Sequence, residues 1–251
     1  MLTLLMIVSI LFAHSIPMDQ EWIFNAYGEK DTAVFHEDDL RILVNLPKPE
    51  QESKLEHYMR QQKMYNNELI LLNVNDLSCE YLLNTIEKYD IKQIYIPAFQ
   101  SESCKLLNSN VNLNQIDANQ KVSITDHFEL MVLENENETG NYMFYLNEMK
   151  LYWYESLPNN MKEATDIIYI PSYIHDYDLR EHFFHQLNPE IALVYVAEDP
   201  KRNKVIHQML MESWIEGYFI KEKLGIHLAI SRNSYELYLE KLISETIFQE
   251  K

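Results

Sequence analysis

The chain has 251 residues, 47% of them hydrophobic, which suffices to bury a full core as one large domain or two smaller ones and excludes a disordered chain. A formal net charge of -18 disfavours a nucleic-acid clamp, because affinity for a phosphate backbone comes largely from Lys and Arg displacing counterions. With four glycines and no Gly-x-Gly-x-x-Gly or Walker-type loop, phosphate-cradle readings lose their support.

Leu2 to Ala13 is apolar apart from Thr3 and Ser9 and ends at His14-Ser15-Ile16-Pro17. About a dozen residues fall short of the ~20 that a bilayer span needs. Three readings fit residues 1–17. The segment is a signal peptide with Ala13-His14-Ser15 as its small-x-small cleavage pattern, although no Lys or Arg precedes the apolar run. It is the end of a transmembrane helix that begins upstream, or it is a buried core element. The first two place residues 18–251, read as a single domain, at or beyond a membrane.

From Glu21 the pattern predicts strands over Trp22–Tyr27, Thr32–His36 and Leu40–Leu46, closed by Pro47 and Pro49. Glu50–Tyr65 reads as a helix with Leu55, Tyr58 and Met59 on one face. Leu69–Leu72 reads as a buried strand, followed by a short loop. A second helix then carries Leu82, Leu83, Ile86 and Tyr89 as its buried stripe, and Ile91–Pro97 is the next strand. Strand, helix and strand in succession imply a parallel crossover.

An asparagine-rich stretch, Asn108–Gln120, reads as a polar connector. Strands resume at His127–Leu133, Asn141–Leu146 and Lys150–Tyr154, with Asn137-Glu138-Thr139 an N-glycosylation triplet of little weight in the turn between the first two. Asp166–Pro171 and Ile191–Val196 are buried strands separated by a helix, Asp178–Leu187. A helix over Lys204–Ile215, strands around Tyr218 and His227, and a final helix over Tyr235–Phe248 complete the chain.

Two cysteines, Cys79 and Cys104, cannot build a disulfide framework or a cysteine-rich zinc site. They read as buried free thiols, with a single bridge the alternative in an oxidising compartment. Asp178 with Glu181 reads as a helix cap, and His182 and His185 as the flank of a Phe183-Phe184 core stripe.

This order of elements resembles the extracellular metallo-β-lactamase domain at the carboxyl end of the ComEC family of DNA-internalisation channels, over nearly all of residues 21–232. Asn25–Ala33 is similar to that family's Asp-Val-Gly-Gln-Gly-Asp-Ala opening, and Arg41–Leu46 to its strand ending in Ile-Asp-Gly-Gly. Tyr89–Pro97 resembles the strand after the metal loop, Asp166–Ser172 a strand that runs into Pro-His-His-Gly, and Leu187–Val196 the helix end and strand that follow. The resemblance implies an α/β fold: a metallo-β-lactamase-like αββα sandwich of two mixed sheets flanked by helices. It also implies a place at the extracellular face of the cell membrane, with the channel portion of a ComEC-type protein as partner and a role in DNA uptake. The acidic charge disfavours direct DNA contact.

The departures decide the expected chemistry. Asn73, Asn75, Leu77 and Ser78 stand where the family has the ligands of its His-x-His-x-Asp-His motif. Ser172 stands in place of a paired histidine, Lys204 falls where Gly-His-Pro is expected, and the bridging aspartate is absent or shifted to Glu155. Asparagine, leucine and serine cannot hold two metal ions or lower the pKa of a bound water to about 7. These positions therefore read as vestigial, with no catalytic residue, metal or cofactor expected, and the chain as a pseudoenzyme. The competing reading is a metal-dependent hydrolase, a nuclease or phosphodiesterase, with a site rebuilt from Asp76, Glu155, His175 and Asp176.

Overall fold

The structure, a computed structural model, describes residues 20–24, 32–49, 52–61, 66–73, 77–100, 111–133, 140–155, 163–172, 181–196, 199–220, 224–231 and 234–241. In chain order the strands and helices are β1 (Gln20–Phe24), β2 (Ala33–Glu37), β3 (Leu40–Val44), α1 (Glu52–Gln61), β4 (Asn66–Ile70), α2 (Cys79–Lys88), β5 (Ile91–Pro97), β6 (Asn112–Ile116) and β7 (Lys121–Ser123). They continue as β8 (Phe128–Leu133), β9 (Asn141–Leu146), β10 (Met149–Trp153), β11 (Ile167–Ile170), α3 (Glu181–Leu187), β12 (Ile191–Tyr195), α4 (Pro200–Glu212), β13 (Glu216–Ile220), β14 (Leu224–Ser231) and β15 (Ser234–Lys241).

Two mixed sheets result, with strand orders β15-β14-β1-β2-β3-β4-β5-β6 and β13-β12-β11-β10-β9-β8-β7. Successive side chains on a strand face opposite sides, so each buried strand feeds two cores. Phe35, Ile42, Ile70, Phe144, Trp153 and Tyr169 meet between the sheets. Val34, Leu43 and Leu69 face the other way and pack under Leu55 of α1 and Leu82 and Ile86 of α2. Tyr152, Ile168 and Val194 do the same beneath Phe183 and Phe184 of α3 and Ile206 of α4. The layers are therefore αββα, as expected. Trp153, Tyr152 and Tyr154 have no exposed surface, and burying an aromatic side chain of this kind contributes on the order of 1.5–3 kcal/mol.

The sandwich has two distinct ends. Parallel pairing aligns the carboxyl ends of β3, β4, β5 and β6 in one sheet and of β10, β11, β12 and β13 in the other. At the opposite end the Tyr235 hydroxyl donates to Glu190 at 3.1 Å, tying β15 to the start of β12.

Several local expectations change. The segment from Ser234 is a strand, not a helix: it pairs antiparallel with β14 from Ser231↔Ser234 to Leu224↔Lys241, and Tyr235 and Leu237 pack on the inter-sheet core while Glu236 and Tyr238 are exposed. That alternation has a period of two, which outweighs the helix propensity of its leucines and glutamates. The polar connector contains β6, paired in parallel with β5 through Asn114 and Ile116. In α2 the buried residues are Tyr81, Leu82, Thr85 and Ile86, and Leu83 is exposed. Helix α4 starts at Pro200, not Lys204, because Asp199 caps it by accepting from the Lys201 amide. Cys79 is disulfide-bonded and exposed, so the free-thiol reading fails for it. Cys104, Asn137–Thr139, Asp178 and residues 1–17 lie outside the described residues.

Turns are made with little glycine. Seven described non-glycine residues have positive φ, and six of them are Asp38, Asn45, Asp90, Asn119, Asn147 and Asn188. Short amide and carboxylate side chains tolerate the left-handed region, so they stand in where glycine is scarce. The seventh is Trp214.

Candidate functional site

The aligned carboxyl ends of parallel strands are where open α/β folds place ligands, and here they are cross-braced. Asn45 follows β3 with φ 59. Its amide donates to the Ile70 carbonyl at 2.8 Å, and its side-chain oxygen accepts from the amides of Leu72 at 2.9 Å and Asn73 at 3.4 Å. The Leu72 carbonyl accepts from the Tyr142 hydroxyl at 2.6 Å and from the Gln100 side-chain amide at 2.8 Å. Gln100 belongs to a short 3-10 turn after β5 (Ala98–Gln100), so three segments converge on the backbone that leaves β4. Gly140 admits Phe99 beside this point, since a Cβ there would lie 3.1 Å from the ring and from Val132.

Trp153 Nε1 donates to Glu155 at 3.0 Å, and the Glu155 amide donates to the Asn141 side chain at 2.9 Å. Burial, then the charge of Glu155, pushes the Tyr142 phenol well above its usual range. It therefore stays a proton donor to Leu72 at any ordinary pH.

Across the second sheet, Arg202 of α4 is buried. One guanidinium nitrogen donates to the Pro171 carbonyl, and the other to the Tyr195 carbonyl at 3.0 Å and to Asn203 at 3.2 Å. A fixed cationic fork thus clasps the carboxyl ends of β11 and β12.

No family model matches the sequence, and no curated protein matches it. Solved structures do. The metallo-β-lactamase-fold protein YhfI from Bacillus subtilis superposes with a TM-score of 0.62 at 12% identity, covering 83% of this chain and 100% of that one. The chain has a metallo-β-lactamase fold. Zinc-bound PqqB from Methylobacterium extorquens (TM-score 0.61, 10% identity, 84% and 100% covered) is also similar. So is Igni18, described as a metallo hydrolase from Ignicoccus hospitalis (0.60, 8%, 84% and 100%). At such identities the likeness is one of fold.

Of the five described positions that the resemblance aligns with metal ligands, three take part in packing or backbone hydrogen bonding. Asn73 is half-buried, with its amide held by Asn45. Leu77 is buried among Leu82, Leu46 and Leu71. Ser78 is the N-cap of α2, its hydroxyl accepting from the Tyr81 amide at 3.2 Å. Ser172 follows the Pro171 carbonyl that Arg202 holds, and Lys204 is exposed on α4. Among the described residues no group of three or more His, Cys, Asp or Glu could hold a metal ion. An amide, a hydroxyl already used as a cap and an alkyl chain do not fit a dinuclear metal centre.

Of the residues considered for a rebuilt site, Glu155 is placed at this end, half-buried beside Trp153. Asn75, Asp76, His175 and Asp176 lie outside the described residues. His185 is exposed while Phe183 and Phe184 are core, as their spacing predicted. Sequence reasoning missed Gln100, Asn141, Tyr142 and Arg202. Only Asn45 carried a signal, since it falls in the segment resembling Ile-Asp-Gly-Gly.

Proposed function

We propose that this chain is a non-catalytic metallo-β-lactamase-fold domain of the ComEC type, held at the extracellular face of the cell membrane through its amino-terminal segment. On this reading it serves DNA uptake by contact with a membrane channel portion rather than by hydrolysis. The observation that carries it is what the positions aligned with ligands do instead: Leu77 fills core and Ser78 caps a helix, while next to Asn73 the Leu72 carbonyl is spanned from both sheets by Gln100 and Tyr142. Those are stabilising roles, and none of them supplies a Lewis acid or a hydroxide. The ComEC assignment, the membrane placement and the DNA-uptake role come from the sequence resemblance and the apolar amino terminus.

Glu155, a carboxylate at the ligand end, favours a second reading in which metal is held by a rebuilt set with Asp76, His175 and Asp176. Metal content decides between the two. Full-length protein exposed to zinc and manganese and freed of excess is expected to be folded and metal-free. Retention of about one equivalent or more by folded protein, lost in Glu155→Gln, would establish the hydrolase reading instead. For the transport role, cells lacking the chain are expected to take up less labelled DNA, and unchanged uptake sinks that part.

A further inference from the structure

The end of the sandwich remote from the ligand loops carries an anomaly. Helix α4 closes with two backbone bonds: the Ile215 amide donates to the Leu210 carbonyl at 2.9 Å and the Trp214 amide to the Met211 carbonyl at 3.2 Å. Ile215 turns back into the core beside Leu210. This is the helix stop in which the residue after the cap takes left-handed backbone angles, a place that glycine or asparagine fills at least cost. Here it is Trp214, with φ 59 and 95% of its surface exposed, next to Met211 at 65%. Neither the backbone nor burial within this chain benefits from an indole there.

Topology places the start of β1 at the same end. Gln20, where β1 begins, pairs with Ile230, which pairs with Tyr235. Tyr235 bonds Glu190, whose carbonyl accepts from the Glu216 amide, two residues beyond Trp214. Strand β1, which the apolar run Leu2–Ala13 precedes by six residues in the sequence, therefore begins at the end that displays Trp214 and Met211. Tryptophan is favoured at the boundary between water and lipid, where an amphipathic ring sits at headgroup level. The flanking Glu190, Glu212 and Glu216 are exposed, which selects a zwitterionic surface over an anionic one.

We infer that this end of the sandwich rests on a zwitterionic lipid bilayer with Trp214 and Met211 seated in its interface, so that the braced ligand-loop end points away from the membrane. The inference rests on the membrane placement proposed above.

The test uses full-length protein, phosphatidylcholine vesicles with brominated acyl chains, and a Trp214→Phe comparison that isolates the emission of this one indole. The expected result is a shift of Trp214 emission to shorter wavelength, with loss of intensity to the brominated lipid. Replacing part of the phosphatidylcholine by phosphatidylglycerol at low salt should weaken both. Vesicle-bound protein whose Trp214 emission is unmoved and still quenched by aqueous acrylamide overturns this orientation while leaving membrane attachment in place. Absence of any vesicle association overturns the membrane placement and the orientation together. Concentration-dependent shielding of Trp214 without lipid identifies a self-association face and also overturns it.

Discussion

Tyr142 and Leu72 lie 70 residues apart in sequence, and the phenol of one donates to the carbonyl of the other at 2.6 Å. This bond joins the start of β9 in one sheet to the exit of β4 in the other. Because Gln100 donates to the same carbonyl, removing one donor leaves a buried acceptor still satisfied. Tyr142→Phe is expected to cost about 1 kcal/mol, and Gln100→Ala a similar amount. The double variant should lose ~1 kcal/mol more than the sum, since the carbonyl is then orphaned. Urea unfolding of the four proteins checks this, and strict additivity would refute a shared acceptor.

Tyr152 supplies the contrast. It is as fully buried as Tyr142, against Tyr154 and Phe183, yet among the described residues its hydroxyl has no hydrogen-bond partner. A buried unpaired hydroxyl is a net cost. Tyr152→Phe is expected to hold stability or raise it by about 1 kcal/mol. A fall in the urea midpoint would show that the hydroxyl has a partner.

Two carboxylates give stability opposite pH signatures. Burial raises the pKa of Glu68 above its ordinary 4.5, while hydrogen bonding from Lys150 lowers that of Glu163. For Glu68 the folded state keeps a proton that the unfolded state has released. Stability therefore falls as pH rises from 4.5 to the folded value, and stays lower above it. For Glu163 the contribution is present above its ordinary value and is lost as pH falls through the folded one. It is small, because the pair with Lys150 is partly solvated. Glu68→Gln should thus gain stability at neutral pH with the gain vanishing in acid, and Glu163→Gln the reverse. Chemical denaturation from about pH 3 to pH 7 reads both slopes, and a Glu68→Gln slope equal to the parent's would contradict the first.

Cys79 is bonded through sulfur at the first residue of α2. Reduction, or Cys79→Ser, is expected to destabilise the protein by about 2–4 kcal/mol through the freedom returned to the unfolded chain. Thiol titration of unreduced, unfolded protein should find no free sulfhydryl, and a midpoint unmoved by reductant would count against a structural bridge.

Much of the fold was legible because strand and helix periodicities are local. Strand β5 runs over Ile91–Pro97 and β9 over Asn141–Leu146 as read, and the Tyr152-Trp153-Tyr154 run is core. Asn112–Ile116 was misread because its asparagines give no hydrophobic signal. It is a strand because β5 offers it a parallel partner. Tyr235–Phe248 reads as a helix because leucine and glutamate suit helices, and over Tyr235–Lys241 the long pairing with β14 decides otherwise.

Residue type and spacing carry the strand and helix periods and the parallel crossovers, whereas the αββα layers and the alignment of Asn73, Asn75, Leu77 and Ser78 with metal ligands are what the resemblance implies. How the strand ends are braced is settled by tertiary contacts alone. The carbonyl of Leu72 could not be matched in advance to Tyr142 and Gln100, nor those of Pro171 and Tyr195 to Arg202. A backbone acceptor carries no signature in the sequence, and its donor is fixed only when the sheets stack and strand ends from distant parts of the chain come within hydrogen-bond reach.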